Sequence, residues 1–471
     1  MALKLTDPFI KSKGWVQWLV LSVAALVLYA PVIGNYFVND DLMVLKKVCI
    51  DRQLNTKGFF RPLSDITLFG NFLLSGFNAA GYHITNILVH ALNAWLLLFF
   101  FLRWRWTNDN DRQQLFAVLS ALFFLTYPFH NEPVVWILGR ASLLASTFAF
   151  IALAILVSRW REAWKITGAA ICYFIAMTGY ESVFVLPAII FIYLVSQKAS
   201  LKRIFVWMLV MAVMLAAHFI IRIQVSGSVT GVYGGAFVDK GLTGPLVTAA
   251  KTAGRLLVPP VKQPVVFIAL SLVACVVLLA GVIGFWKKNV EQKNSRTYLL
   301  YLSGMLLLAL LLPFVAGVST NSSESDRFLY FPSYFLCPVF ALLLVGLWYN
   351  RRLLNWVVPA ILIYNIIFLE LNNQNWRKAS VAVTDLLALL KDRQAGDGKT
   401  YVINLPDEID GAFVFRVGLS EALQVNGIDT ASVKAVSPAV MRDLAKLPAI
   451  EPRPIDGGVY IAPNTLVVKN R

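Results

Sequence analysis

Two adjacent carboxylates, Asp40 and Asp41, stand just past the first long apolar run, in the segment Asn35-Tyr-Phe-Val-Asn-Asp-Asp-Leu. Paired like charges at a membrane surface push one pKa upward, the condition under which a carboxylate accepts a proton near neutral pH. General-base chemistry is therefore one reading of the pair. A helix cap is the other, because Asn39, Asp40 and Asp41 precede the amphipathic stretch Leu42-Met-Val-Leu-Lys-Lys and short polar side chains cap helix starts.

Polar residues in or beside apolar runs extend the list of candidates, since each costs several kcal/mol in lipid unless it faces a cavity or a partner. His83, Asn86, His90 and Asn93 recur at three- and four-residue spacing and draw a stripe down one helix face. That stripe fits helix-to-helix hydrogen bonding, and His83, nearest the surface, also fits a site. Glu132, Trp136 and Arg140 follow at four-residue steps, which predicts a shared face descending about two turns. Arg140 at that depth calls for an anion, either Glu132 or a phosphate. His130 and Glu132 make an acidic and basic pair, Glu181 adds a carboxylate, and Arg222 and Arg327 add cations at helix ends. Arg61, just before Pro62, either joins them or snorkels to headgroups. Together these residues surround one vestibule on the extracytoplasmic side.

The elements that must hold them are membrane helices. A composition of 58% hydrophobic and 14% charged residues, with mean hydropathy +0.67, excludes a soluble globular protein. Apolar runs near residues 15–35, 82–102, 114–129, 134–157, 163–179, 182–196, 204–221, 264–285, 298–317, 328–348 and 353–370 predict an all-α polytopic protein of about eleven spans. The first run is longer than a typical signal-peptide core and reads as a retained anchor. The net charge of +16 does not indicate nucleic acid, because the basic residues alternate between loops, for example Lys11 and Lys13, Arg103 and Arg105, Lys198 and Arg203, Arg351 and Arg352. By the positive-inside rule those loops face the cytoplasm, with the N-terminus, while the acidic pair lies outside. Four cysteines, three of them (Cys172, Cys275, Cys337) in apparent spans, give neither a disulfide framework nor metal-ligand spacing.

Past Asn372 the composition turns polar. Tyr401-Val-Ile-Asn-Leu and Val459-Tyr-Ile-Ala read as strands, Ala412–Val425 and Ala439–Lys446 as helices. The expected organisation is a membrane module over residues 1–375, with a first outer loop at 36–81, and a small soluble extracytoplasmic α/β domain over 376–471. A base, several cations and a bilayer suit a lipid-linked phosphosugar, whose phosphate leaves as an anion that Arg stabilises while a carboxylate deprotonates an acceptor hydroxyl. Its polyprenyl tail would lie in a groove between spans.

Five stretches carry a family resemblance: Phe37-Val-Asn-Asp-Asp, Phe60-Arg-Pro-Leu-Ser, Gly81-Tyr-His-Ile-Thr-Asn-Ile-Leu-Val-His-Ala-Leu-Asn-Ala, Tyr127-Pro-Phe-His-Asn-Glu-Pro-Val-Val-Trp-Ile-Leu-Gly-Arg and Asp326-Arg-Phe-Leu-Tyr-Phe-Pro-Ser. In that order over the first 375 residues they resemble the GT-C fold glycosyltransferases, close to the protein O-mannosyltransferases that carry tetratricopeptide repeats and to their bacterial relatives. The resemblance implies that Asp40 or Asp41 is the general base, that His130 and Glu132 serve the acceptor side or a metal, and that Arg61, Arg140 and Arg327 meet the donor phosphate. His83 and Glu181 join the acceptor or metal side, and Arg222 the phosphate side. Asp41 is taken as the base, with Asp40 orienting it or binding a cation.

The chain departs from the family at Tyr180-Glu181, where relatives have Lys-Glu, and by a small domain in place of the repeat array. The expected activity is inverting transfer of one sugar, mannose, from a polyprenyl-phosphate donor to an acceptor hydroxyl, on protein Ser or Thr, outside a bacterial inner membrane, with Mg or Mn as a possible cation. Alternatives are a lipid or surface-glycan acceptor, or a polytopic lipid or solute transporter, although carboxylates clustered at one surface, without paired halves, argue against transport.

Overall fold

The computed structural model describes residues 8–54, 60–227, 244–288, 293–348, 352–392, 400–403, 405–436 and 466–469. Helices coincide with all eleven apolar runs. In chain order they are α1 (Gly14–Leu28), then in the first loop α2 (Asp41–Leu45) and α3 (Pro62–Ser75), then α4 (Ala79–Arg103), α5 (Asn110–Leu125), the short α6 (Asn131–Val135), α7 (Arg140–Leu156), α8 (Glu162–Met177), α9 (Leu186–Ser196), α10 (Leu201–Ser226), α11 (Gly244–Arg255), α12 (Pro264–Lys288), α13 (Lys293–Ala309), α14 (Leu311–Ala316), α15 (Tyr330–Trp348) and α16 (Leu354–Asp392). Six of these, α4, α7 with the turn before it, α10, α12, α15 with the turn before it, and α16, are long and apolar enough to cross a membrane, and α1 and α9 are shorter apolar helices. The chain is a multi-pass integral membrane protein.

Local chemistry sets the helix ends. Asn78 Oδ1 accepts from Ala80 N at the start of α4, Asp109 from Asp111 N and Arg112 N at α5, and Ser200 from Arg203 N at α10, satisfying donors a helix start leaves unpaired. Gly227, at φ +73°, ends α10 in the left-handed conformation. The run at 298–317 divides into α13 and α14 at Leu310, and Pro313, in the first turn of α14, has no N–H to offer the carbonyl of Ala309.

The centre of the bundle is α4, α5, α7 and α15. Phe150 of α7 stacks on Tyr334 of α15, centroids 3.6 Å apart, and on Phe331 at 5.8 Å. In lipid no hydrophobic force draws helices together, so such packing and the interhelical hydrogen bonds hold the bundle. Asn93 donates to Leu143 O and Tyr330 Oη, and His90 bridges Tyr330 Oη and Leu125 O. Asn86, His90 and Asn93 of the polar stripe are thus used between helices.

The face expected to carry Glu132, Trp136 and Arg140 together does not exist. The helix stops after Val135, Trp136 is extended (φ −69°, ψ +125°), a single 3-10 turn covers Ile137–Gly139, and α7 starts afresh at Arg140. Glu132 and Arg140 consequently point to different partners. The break depends on Gly139, where a Cβ would lie 2.3 Å from Glu132 O and 2.9 Å from Pro133 Cα.

Beyond the bundle, α16 runs unbroken from Leu354 to Asp392, so the boundary expected at residue 375 falls inside a helix. The C-terminal part contains β1 (Thr400–Ile403), the two-residue strands β2 (Glu408–Ile409) and β3 (Ala412–Phe413), α17 (Leu419–Val425), β4 (Val433–Val436) and β5 (Leu466–Lys469). β1 is central, parallel to β4 and antiparallel to β5. The expected strand at 401–405 coincides with β1. The expected helix at 412–425 is corrected: its first two residues pair with β2 across an Asp410-Gly411 turn, both at positive φ, a favoured two-residue hairpin connection, and the helix begins only after Gly418 at φ +86°. The elements expected at 439–446 and 459–462 lie outside the described residues.

Replacing Gly139 with Ala is expected to destabilise the protein by about 1–3 kcal/mol or more, because backbone atoms must move. Thermal unfolding in lipid discs would show it, and an unchanged transition would mean that the break at Trp136 tolerates a side chain.

Candidate active site

The acidic loop is built around Asp41. Its Oδ2 accepts from Val38 N at 3.0 Å and its Oδ1 from Leu138 N at 3.2 Å, 97 residues along the chain, and the side chain is 1% exposed. Burial pushes this carboxyl well above the usual range, with the Asp40 charge adding to the effect, against the pull of the two N–H donors. Burial outweighs like-charge pairing as the cause. With both oxygens engaged, Asp41 fastens the loop to the start of α7.

Asp40 occupies the cap position of α2 but makes no side-chain cap bond. It is partly buried, accepts from Asn39 Nδ2 at 2.9 Å, and has its own backbone N–H beside the carboxylate. Burial raises its pKa to about 6, opposed by the charges of Arg327 and Arg61. Of the two acids, Asp40 is the one on which the charges of Arg327 and Arg61 act, whereas Asp41 is the one expected to be the base.

Those cations form a chain of contacts. Arg327, from the 3-10 turn before α15, bonds Glu132 through both its guanidinium and its backbone N (2.7 Å to Oε2), and its Nε donates to Tyr180 Oη at 3.1 Å. The Tyr180 ring lies under the Arg61 guanidinium, 4.6 Å from its centroid. Arg61 approaches Glu181 at 3.7 Å, and Arg222, at the far end of α10, pairs with the same carboxylate at 2.8 Å. Arg327 and Arg61 remain 18% and 22% exposed, whereas Arg222 is 2% exposed and acts as the anchor of Glu181. Glu132 is fully buried, and burial raises its pKa against the pull of Arg327. Tyr180 links the two partly exposed guanidiniums of Arg327 and Arg61.

Three expected site residues lie elsewhere. Arg140 meets neither Glu132 nor open space: it donates to Asn86 Oδ1 (2.7 Å), Asn71 Oδ1 (2.5 Å), Thr67 O and Tyr82 O, and is 1% exposed. Neutral acceptors on α3 and α4 satisfy its fork, so it stitches three helices. His130 bonds Ser333 Oγ at 2.8 Å among the rings of Phe124, Tyr127, His90 and Tyr330; burial drives its pKa well down and leaves a neutral imidazole. His83 holds Asn35 O at 3.1 Å beneath the loop. With Glu132 committed to Arg327 and His130 to Ser333, that pair does not fit a divalent cation. Among the described residues, no group of three or more His, Cys, Asp or Glu is arranged for a metal.

One further pair, unmarked by spacing, sits next to the ring: Arg255 and Asp326 are joined at 2.5 Å and both are buried. The Phe129 ring packs on Arg255 at 4.6 Å and lines a cavity of about 430 Å³ with Tyr127, Leu256, Ala274, Cys337 and Tyr364. This apolar groove lies between α5, α12, α15 and α16.

Comparison with known proteins adds a partial match. The human protein O-mannosyl-transferase TMTC4 is 33% identical over 116 residues, covering 22% of this chain and 15% of the relative. Human TMTC3 is 34% identical over 89 residues, 19% of this chain and 9% of the relative. The Caenorhabditis elegans protein O-mannosyl-transferase F38B6.6 is 26% identical over 162 residues, 30% and 23% respectively. The chain resembles the protein O-mannosyl-transferases. It spans less than a quarter of the length of these relatives. No protein-family model matches. The crystal structure of ArnT from Cupriavidus metallidurans in the apo state aligns over 97% of this chain and 98% of that one, with TM-score 0.43 and 13% identity.

Arg140→Leu is expected to cost about 3 kcal/mol or more, since two buried amide oxygens and two carbonyls lose their donor. Arg140→Lys should not restore it, because an ammonium cannot span the same fork. Equal thermal transitions for wild type and both variants would return Arg140 to the list of binding residues.

Proposed function

We propose that the chain is an inverting glycosyltransferase of the GT-C type, which transfers one sugar, mannose, from a polyprenyl-phosphate donor to a Ser or Thr hydroxyl of a protein at the outer face of a bacterial inner membrane. What supports this reading is Asp40, a partly buried carboxyl that burial pushes up to about 6 against the charges of Arg327 and Arg61, a combination that suits a general base next to a site for developing negative charge. The resemblance to protein O-mannosyl-transferases supports the same chemistry, and the alternation of basic loops supports the orientation.

The acceptor oxygen attacks the anomeric carbon in line, and the bond from that carbon to the phosphate oxygen breaks as the new glycosidic bond forms. The acceptor proton passes to Asp40, and the bonding electron pair leaves with the phosphate. Arg327 and Arg61 meet that charge, held by Glu132, Tyr180 and Glu181. The polyprenyl chain lies in the 430 Å³ apolar groove lined by Phe129, Leu256, Ala274 and Cys337. No step is assigned to a divalent cation.

Release of polyprenyl phosphate by the protein in lipid discs, given labelled donors and an outer-compartment protein extract, tests the assignment. Asp40→Asn should lower turnover by about 10²–10⁴-fold at an unchanged thermal transition, while Asp41→Asn should lower the transition by loosening the loop. Full turnover in Asp40→Asn removes it as the base, and no release with any donor removes the transferase.

A base with a raised pKa is lost to protonation as the pH falls through that value, so kcat/KM should be flat above pH 6 and drop about tenfold per unit below it. A profile flat to pH 4 would contradict a titrating Asp40.

Ala274→Trp fills the groove. It should raise KM for a long-chain donor while sparing a donor shortened to two or three isoprene units. Equal effects on both would place the lipid elsewhere.

A further inference from the structure

The outer domain does not merely hang above the bundle, because residues 412–418 bond directly to the acidic loop. Asn39 N donates to Val414 O at 2.6 Å, and Asn39 Oδ1 accepts from Arg416 N at 3.1 Å and Val417 N at 3.3 Å. The other end of the same amide, Nδ2, donates to Asp40 Oδ1 at 2.9 Å. Asn39 is buried and sits at φ +53°, a left-handed conformation that most side chains avoid and Asn tolerates. Its amide therefore spans from the backbone of the outer domain to the carboxylate of Asp40.

Several contacts fix this docking. Phe413 packs between Trp136 and Trp376, centroids 5.1 and 5.9 Å away. Arg416 pairs with Glu324 at 2.7 Å, Ser323 Oγ donates to Asp410 O, and Tyr36 N donates to Ser380 Oγ on α16 at 2.7 Å. At Gly418 the fit has no slack: a Cβ there would lie 2.6 Å from Asn39 O and 3.2 Å from Asp40 Cα.

We propose that Asn39 and the segment 412–418 are positioning residues for catalysis, the outer domain holding the Asn39 amide so that it orients the Asp40 carboxylate toward Arg327 and Arg61. The proposal rests on Asp40 being the base, as argued above. It gives the outer domain a part in the chemistry of the membrane module and makes the acidic loop dependent on the presence of the hairpin.

Two variants separate this role from simple folding. Asn39→Gly keeps the left-handed turn without strain and deletes the amide. An amide N–H stabilises the charged carboxylate, so its loss should raise the midpoint of the pH–rate profile by up to about one unit and lower kcat by about tenfold, with donor KM little changed. Gly418→Ala leaves every polar group in place and displaces the loop backbone, with an expected loss of about 10- to 100-fold in kcat. Hydrogen exchange at residues 414–418, read by mass spectrometry without donor or acceptor, should quicken in both variants.

Wild-type kcat and pH midpoint in Asn39→Gly would overturn the positioning role, and unchanged exchange in both variants would overturn the docking. If the wild-type protein transfers no sugar at all, the transferase reading fails by itself and the exchange measurement still decides whether the domain clasps the loop.

Discussion

Capture of the Asp41 carboxylate by two backbone N–H groups is the constraint from which the site follows. One donor, Val38 N, is local, and the other, Leu138 N, becomes available because the chain breaks at Trp136 and begins a new helix. The first residues of any helix have N–H groups with no partner inside it, and this one is met by a carboxylate from the loop that follows α1. Tying the loop there fixes the backbone that carries the preceding residue, Asp40, and the two adjacent acids differ in burial, Asp41 being 1% exposed and Asp40 partly buried.

The cations obey a similar economy. Arg61, Arg222 and Arg327 share two carboxylates, Glu132 and Glu181, so the ring carries more positive than negative charge before Asp40 is counted. Burying ions without partners would cost several kcal/mol each, and full pairing would leave nothing for an anion. The deepest ions, Glu132 and Arg222, pair with Arg327 and Glu181, and Arg327 and Arg61 lie nearer the rim, 18% and 22% exposed. Tyr180 couples those two by a hydrogen bond to one and a ring face to the other, which a lysine at this position could not do.

Much of this was legible in the residues and some was not. Composition and apolar runs located the helices, and Asp40, Glu132, Glu181, Arg61, Arg222 and Arg327 were marked as residues of one vestibule by charge beside apolar sequence. Arg140 and His130 carried the same mark and proved to be packed against neutral acceptors and aromatic rings. A charged residue beside a span signals that it has a partner, without saying whether the partner is a ligand, an ion or a carbonyl. The four-residue spacing of Glu132, Trp136 and Arg140 was misleading for another reason: periodicity assumes an unbroken helix, and the close approach of Gly139 to Glu132 O depends on tertiary packing. Asn39 was hidden because its role lies in contacts with residues 375 or more positions away, a separation at which local pattern carries no information.

The unbroken α16 has a consequence for how the two parts of the molecule can diverge. At about 1.5 Å per residue its 39 residues make a rod of nearly 60 Å, whose buried residues run mainly from Asn365 to Leu390 and include Ser380, which holds Tyr36. A flexible tether would set the distance of the C-terminal strands from the start of α16 only as a statistical average, but this rod sets it as a length. One residue inserted between Leu369 and Ser380 would lift everything beyond by about 1.5 Å and turn it by about 100°, carrying the serine off Tyr36. Length change in this helix is therefore closed to gradual drift, and variation must accumulate by substitution on its faces.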